Sequence, residues 1–213
     1  MKTKKVVFLE VALLMMVSLV LPLGCDTDTE TETTYKEVTV DVMTLSIPTE
    51  WQRPEGIDEI LRDALGAMPP ELAQYYRMDI YGLPADDFVL TLMVMKMGEM
   101  VEAEGMTWEG WEAQMEAVYM TEEDFLALIG GAFITEGVEE VTQTLTLHHT
   151  IHGNEAIEGR YECRFEGEPA IINLLLVFAE YDLGMVMLLG EEASVAGYED
   201  VWDTIRDSVQ FQN

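Results

Sequence analysis

The stretch VTQTLTLHHTI (Val141–Ile151), followed across Gly153-Asn154 by IEGRYECRF (Ile157–Phe165), decides the fold. Threonine, valine and isoleucine crowd the first run, and polar and apolar residues alternate through both. That period of two belongs to half-buried strands. Gly153-Asn154 is a turn signal, so the two runs read as an antiparallel hairpin. Two further apolar runs follow, Ile171–Phe178 and Met185–Leu189, with a turn expected at Asp182–Gly184. The links between these strands are short. A parallel pair would need a crossover of roughly a dozen residues or more, so the last third reads as an antiparallel sheet.

Working back towards the N-terminus, Val38, Val40 and Val42 alternate with polar residues, and Leu45-Ser46-Ile47 extends the pattern to Pro48. This is one strand or a bent pair. From Gly56 to Met68 the spacing puts Ile57, Ile60, Leu61, Ala64, Leu65 and Met68 on one helical face, ended by Pro69-Pro70. A short helical turn over Leu72–Tyr76, a strand over residues 78–82 and a strand from Phe88 to Met97 follow. Thr107 caps a helix bearing Trp108, Trp111, Met115 and Tyr119. A second helix starts at Thr121, with Asp124 three residues on, and stops at Gly130-Gly131. Tyr198, Val201, Trp202, Ile205 and Val209 mark a last helix. The order β-β, α, β-β, α-α, β-β-β-β, α gives an α+β fold, an antiparallel β-sheet flanked by helices.

The charge is one-sided. Among 213 residues there are 11 Lys+Arg and 41 Asp+Glu, a net −30, with 49% hydrophobic residues. Phosphate would repel such a surface, which excludes nucleic-acid binding through a basic patch. The apolar content excludes a wholly disordered acidic chain. Two cysteines are too few for a disulfide scaffold or a Cys-rich zinc module.

The first 24 residues read as an export signal. Lys2, Lys4 and Lys5 form a positive start, and an apolar run from Val6 to Leu23 is interrupted by Glu10 and Ser18. It ends in Leu21-Pro22-Leu23-Gly24-Cys25, which resembles the lipobox of bacterial lipoproteins. The resemblance implies cleavage before Cys25 and acylation of that residue. Asp26 to Thr34 reads DTDTETETT, an apolar-free run whose like charges repel. The organisation expected is therefore a signal peptide over 1–24, an acidic disordered tether over 25–35 and one domain over 36–213. High negative charge keeps such a domain soluble and off anionic lipid.

Four groups of residues bear chemistry. His148, His149 and His152 offer imidazoles to zinc or copper. Strand alternation sends Leu145, Leu147, His149 and Ile151 to one face and His148, Thr150 and His152 to the other, which works against one shared ion. Met93, Met95 and Met97 fall on one strand face, with Met100 beyond. Thioethers can hold Cu(I), and methionines also fill irregular cores. Cys163 shares its face with Ile157, Tyr161 and Phe165 and reads as a buried thiol, while Arg160, Glu162 and Arg164 face away. Trp108 and Trp111 suit a helix seated on a sheet, or the floor of a ligand groove. No Gly-x-Ser-x-Gly elbow, P-loop or dinucleotide fingerprint is present.

Two further segments carry a resemblance. Leu45-Ser46-Ile47-Pro48-Thr49-Glu50-Trp51 is similar to the strand, proline and tryptophan signature of the PsbP/DcrB-like superfamily. Tyr198-Glu199-Asp200-Val201-Trp202, continuing through Ile205, Ser208 and Phe211, resembles that group's final helix and Ser-x-x-Phe tail. The resemblance implies an α/β/α sandwich and an accessory or binding role, and it carries over no functional residue. The expectation is an exported, lipid-anchored, non-enzymatic accessory or binding protein without a cofactor. It would sit on the extracytoplasmic face of a bacterial cell envelope, held to the membrane through acylated Cys25. Its other partner is an unknown protein or small ligand, not nucleic acid. The alternative is an exported copper or zinc handler using the Met93–Met97 run or His148–His152.

Overall fold

The computed structural model describes residues 33–82, 88–110, 138–165, 167–192, 195 and 198–212. Two antiparallel sheets organise them. The smaller contains β1 (Tyr35–Val40), β2 (Met43–Pro48) and β9 (Gln210–Phe211), in the order β1-β2-β9. The larger contains β3 (Tyr76–Gly82), β4 (Phe88–Met95), β5 (Val138–Ile151), β6 (Asn154–Phe165), β7 (Glu168–Phe178) and β8 (Leu183–Glu191), in the order β3-β4-β8-β7-β6-β5.

The expected α+β architecture, an antiparallel sheet with helices on it, is what forms. The bent pair at the start is β1 and β2, folded back at Asp41-Val42 with Val40 opposite Met43. The hairpin read from Val141–Phe165 pairs Ile151 with Asn154, so its turn residues are His152 and Gly153. Their φ values of 49° and 90° are both positive, as a two-residue hairpin turn of the primed type requires.

Four helices are described along their whole length and pack against these sheets. They are α1 (Ile57–Ala67), α2 (Pro70–Ala73), α3 (Met97–Ala103) and α4 (Glu199–Ser208). α1 sets Ile57 and Leu61 on Ile80 of β3. Pro70 opens α2, where a missing N–H costs nothing. One reading needs correction. The strand from Phe88 ends at Met95, and Met97 begins α3 instead of continuing it. Here Lys96 N–H donates to Tyr75 C=O (2.8 Å) and Gly98 N–H to Tyr181 C=O (2.7 Å), so the backbone leaves the sheet. The helix read from Thr107 begins at Trp108, where Gly110 N–H donates to Thr107 Oγ1 (3.2 Å). Its continuation from Trp111, the helix read over Thr121–Gly130, the leader, Cys25 and the acidic run as far as Glu32 lie outside the described residues.

The large sheet has a core on each face. On one, Tyr76, Met93, Met95, Tyr161, Leu174 and Met185 pack beneath Leu65, Ala73, Met97 and Met100. On the other, Leu90, Leu92, Val94, Leu175 and Val186 meet Met43, Leu45 and Ile47 of the small sheet and Trp202 and Ile205 of α4. Ile171–Val177 and Leu183–Gly190 are buried throughout, because both faces of β7 and β8 are covered.

The molecule has two poles. At one, the chain enters β1, with Thr49 N–H donating to Thr34 C=O (2.8 Å). At the other, Lys96 reaches Asp41 in the β1–β2 turn (3.3 Å) and Asp182 in the β7–β8 turn (3.8 Å).

Candidate functional site

The densest polar cluster lies where α4 crosses β5 and β6. The alternation of β6 puts Glu158 on the same face as Arg160, and that face was read as turned away from the core. At Glu158 it is instead covered by α4, and the residue is 4% exposed. A buried carboxylate is costly unless its oxygens are bonded. Here Trp202 Nε1–H donates to Oε1 at 2.7 Å and His149 Nε2–H to Oε2 at 2.8 Å. Arg206 Nη1 approaches Oε2 at 3.4 Å. Trp202 and Arg206 stand four residues apart, so one face of α4 delivers both donors.

The cluster extends along the helix. Arg206 also bonds Asp203 (2.6 Å) and Asp207 (2.7 Å), and the guanidinium holds the Asp207 carboxyl below its usual range. His152 Nε2–H donates to the Asp207 carbonyl (3.1 Å), and Arg160 pairs with Glu199 near the other end of α4 (3.3 Å). The arrangement holds a helix on a sheet. Its carboxylate is already engaged by three donors, one of them a guanidinium, and this opposes general-base chemistry and capture of a metal cation.

The histidines are therefore divided. His149 faces Glu158, His152 caps the end of α4, and His148 lies in register with Ile157 on the opposite face of β5. No group of three or more His, Cys, Asp or Glu is placed to hold a metal ion among the described residues.

The methionines are core residues. Met93 is 1% and Met95 3% exposed. Met78, Met93 and Met185 stand opposite one another on β3, β4 and β8, a row of thioethers across three strands. Met97 does not share their strand face, contrary to the spacing. It packs on the same core from the start of α3.

Cys163 is buried, as its strand face implies, and burial pushes its thiol up to about 11. Its S–H donates to Ala170 C=O (3.5 Å). A cleft of about 260 Å³ beside it is lined by Thr142, Glu140, Glu162, Arg164 and Glu192. Carboxylates next to a thiol that keeps its proton do not make a nucleophile.

At the pole of Lys96, Trp108 meets Tyr181 edge to face, with centroids 5.5 Å apart, while Trp111 lies outside the described residues. Tyr181 is 48% and Phe178 39% exposed. Burial raises the Asp182 carboxyl there, against the opposing pull of Lys96. No local pattern marks this pole, since Tyr181 and Asp182 sit in a turn and Lys96 falls where the spacing predicts a strand. Nor does one mark Glu158, which alternation alone assigns to solvent. No helix among the described residues is long and apolar enough to cross a membrane.

No protein-family model matches the chain, and no curated protein does. Solved structures do. The cyanobacterial PsbP protein CyanoP from Synechocystis is similar over 88% of this chain and 98% of its own, with a TM-score of 0.51 and 10% identity. LpqN, a protein involved in cell envelope biogenesis of Mycobacterium tuberculosis, is similar over 86% and 94%, with a TM-score of 0.46 and 12% identity. The protein Mog1 is similar over 84% and 96%, with a TM-score of 0.40 and 12% identity. The likeness to CyanoP shows the fold, a PsbP-like α+β sandwich.

Proposed function

We propose that this chain is an exported, lipid-anchored accessory or binding protein that acts without catalysis. In this reading residues 1–24 are removed, Cys25 is acylated, residues 25–35 form the tether and residues 36–213 form one PsbP-like domain. Acyl chains on Cys25 give durable anchoring, since each buried methylene contributes about 0.8 kcal/mol. The ligand is a protein or small molecule met on the extracytoplasmic face of the envelope.

The observation that carries this reading is the polarity of the fold. The chain enters at Thr34 beside Thr49, and the opposite pole displays Tyr181 and Phe178 around the Asp41–Lys96–Asp182 ion pairs. A tether at the first pole would hold the second away from the bilayer. The chemistry-bearing side chains also fit a binding role. Glu158, His149 and Arg206 satisfy one another, and Met93, Met95 and Cys163 lie in the core.

Fatty-acid labelling of cells expressing the full chain tests the anchor. Metabolic labelling with a fatty acid is expected to mark the parent chain and not Cys25→Ser, which keeps residues 1–24. A parent chain without label, or equal label on Cys25→Ser, would defeat the reading.

A further inference from the structure

β4 and β8 are neighbours in the large sheet, and their two faces are built from different residues. Towards the small sheet they present Leu90, Leu92, Val94, Val186 and Leu188. On the opposite face they present Met93, Met95, Met185 and Met187. The same two strands thus fill one core without a thioether. Leucine matches methionine closely enough in volume to have filled the other, so packing alone does not call for sulfur there. Met78, Met97 and Met100 pack on the methionine side as well.

The register gathers three of these residues. Met78 stands opposite Met93, and Met93 opposite Met185. All three side chains enter one core. Neighbouring strands lie about 4.8 Å apart, so the outer two backbones are roughly 10 Å apart with Met93 between them. Methionine is unbranched and turns about three bonds, so the outer sulfurs can lean towards the central one. Met93 and Met185 are almost wholly buried and Met78 half-buried, so the row leads from the surface into a dry interior.

From this arrangement we propose that Met78, Met93 and Met185 bind one Cu(I) ion through their three Sδ atoms. Thioether sulfur is a soft ligand and selects Cu(I) among biological metals. Calcium and magnesium require oxygen ligands, and zinc takes thiolate, imidazole or carboxylate. A single positive charge is also less costly to bury than a double one. The net charge of −30 draws cations to the surface from which Met78 is reached. Thioethers carry no proton, so binding releases none and the site needs no base beside it. The set differs from the Met93–Met97 run, because Met97 lies in α3 and the partners of Met93 come from β3 and β8.

The test is transfer of Cu(I) from its bicinchoninate complex, under nitrogen with ascorbate, to the full chain in mild detergent. Cys25→Ser and Cys163→Ser are present throughout, so that no thiol competes. Uptake of one Cu(I) that depends on the row is expected. Met78→Leu with Met93→Leu and Met185→Leu should weaken it by more than the roughly 10–100-fold that loss of an outer-shell partner costs at a metal site. Met93→Leu alone is the gentler change and should weaken it at least about tenfold. Met97→Leu with Met100→Leu and Met187→Leu removes three thioethers from the same core and should leave the affinity unchanged. Circular dichroism should be the same for every variant. With the chelator's own titration corrected, affinity should also be equal at pH 5.5 and pH 7.5, whereas an imidazole site would release the ion in acid. A folded chain that takes up no Cu(I) would overturn the proposal. Equal losses in the two triple variants, or binding that fails in acid, would do the same.

Discussion

Glu158 in the middle of β6 and Trp202 in α4 are joined by a 2.7 Å hydrogen bond, 44 residues apart in sequence and both almost wholly buried. This bond, with those from His149 and Arg206 to the other carboxylate oxygen, fixes α4 on the large sheet. α4 in turn binds the small sheet through Ser208, whose Oγ accepts the Ser46 N–H at 2.8 Å. Through α4, the large sheet is thereby linked to the small one.

Replacing Glu158 should be expensive. Glu158→Gln keeps the size but removes the charge facing Arg206 and gives one oxygen an N–H₂ in its place. Loss of one member of a buried charged cluster costs about 3 kcal/mol. Urea unfolding should show this loss for Glu158→Gln and a smaller one for Trp202→Phe. The double variant should lose less than the sum, by about 1 kcal/mol, since the two residues share one bond.

Gly184 marks a tight approach between the layers. A Cβ at this position would lie 2.5 Å from Phe211 Cζ and 2.9 Å from Met43 Sδ. Gly184→Ala should therefore destabilise by about 1–3 kcal/mol through overpacking. Adding Phe211→Leu should recover part of that loss. A thermal melt of the single and double variants is the check, and an unchanged melt for Gly184→Ala would count against this packing.

Much of this architecture is legible in the sequence because its signals are local. The alternation in Val141–Phe165 and the spacing of Val201, Trp202 and Ile205 each report a face that a neighbour must cover. What escaped reading depends on tertiary placement. Glu158 looks solvent-facing until α4, 44 residues later, is laid across it. Met97 continues the strand by spacing alone, yet Lys96 and Gly98 bond Tyr75 and Tyr181 and turn the chain out of the sheet. The polar pole formed by Asp41, Lys96 and Asp182 joins residues from three distant turns, and no short-range pattern announces it.

The raised carboxyl of Asp182 predicts a pH-dependent effect. A carboxyl that holds its proton more tightly when folded favours the fold at low pH, and this contribution is lost as pH rises through its folded pKa. At pH 7 the ionised, partly buried group is a cost. Asp182→Asn should raise the melting temperature at pH 7 by on the order of 1–2 °C. The gain should shrink as pH falls through the raised folded pKa and be gone well below the unfolded value of about 3.9, where Asp182 is neutral in both states. A gain of the same size at pH 3 and pH 7 would contradict the assignment to charge burial.

Cys163 should be chemically quiet. With burial pushing its thiol up to about 11, little thiolate exists at pH 8. Labelling of the folded chain by iodoacetamide should be slow at pH 8, should rise towards pH 11, and should be complete in denaturant at either pH. Fast labelling of the native chain at pH 8 would mean an open and activated thiol.

The methionine row tolerates change of shape but not loss of volume. Met93→Leu and Met95→Leu should each cost less than about 1.5 kcal/mol, and either alanine variant about 2–5 kcal/mol. Denaturant midpoints for the four variants give this comparison directly.

In the proposed function Cys25 is the point of anchorage. Mass spectrometry of the N-terminal peptide, from protein extracted out of the membranes of its native host, tests it in one step. A peptide that begins at Cys25 and carries diacylglycerol is the predicted result. A peptide that begins at Met1 with an unmodified Cys25 would contradict it.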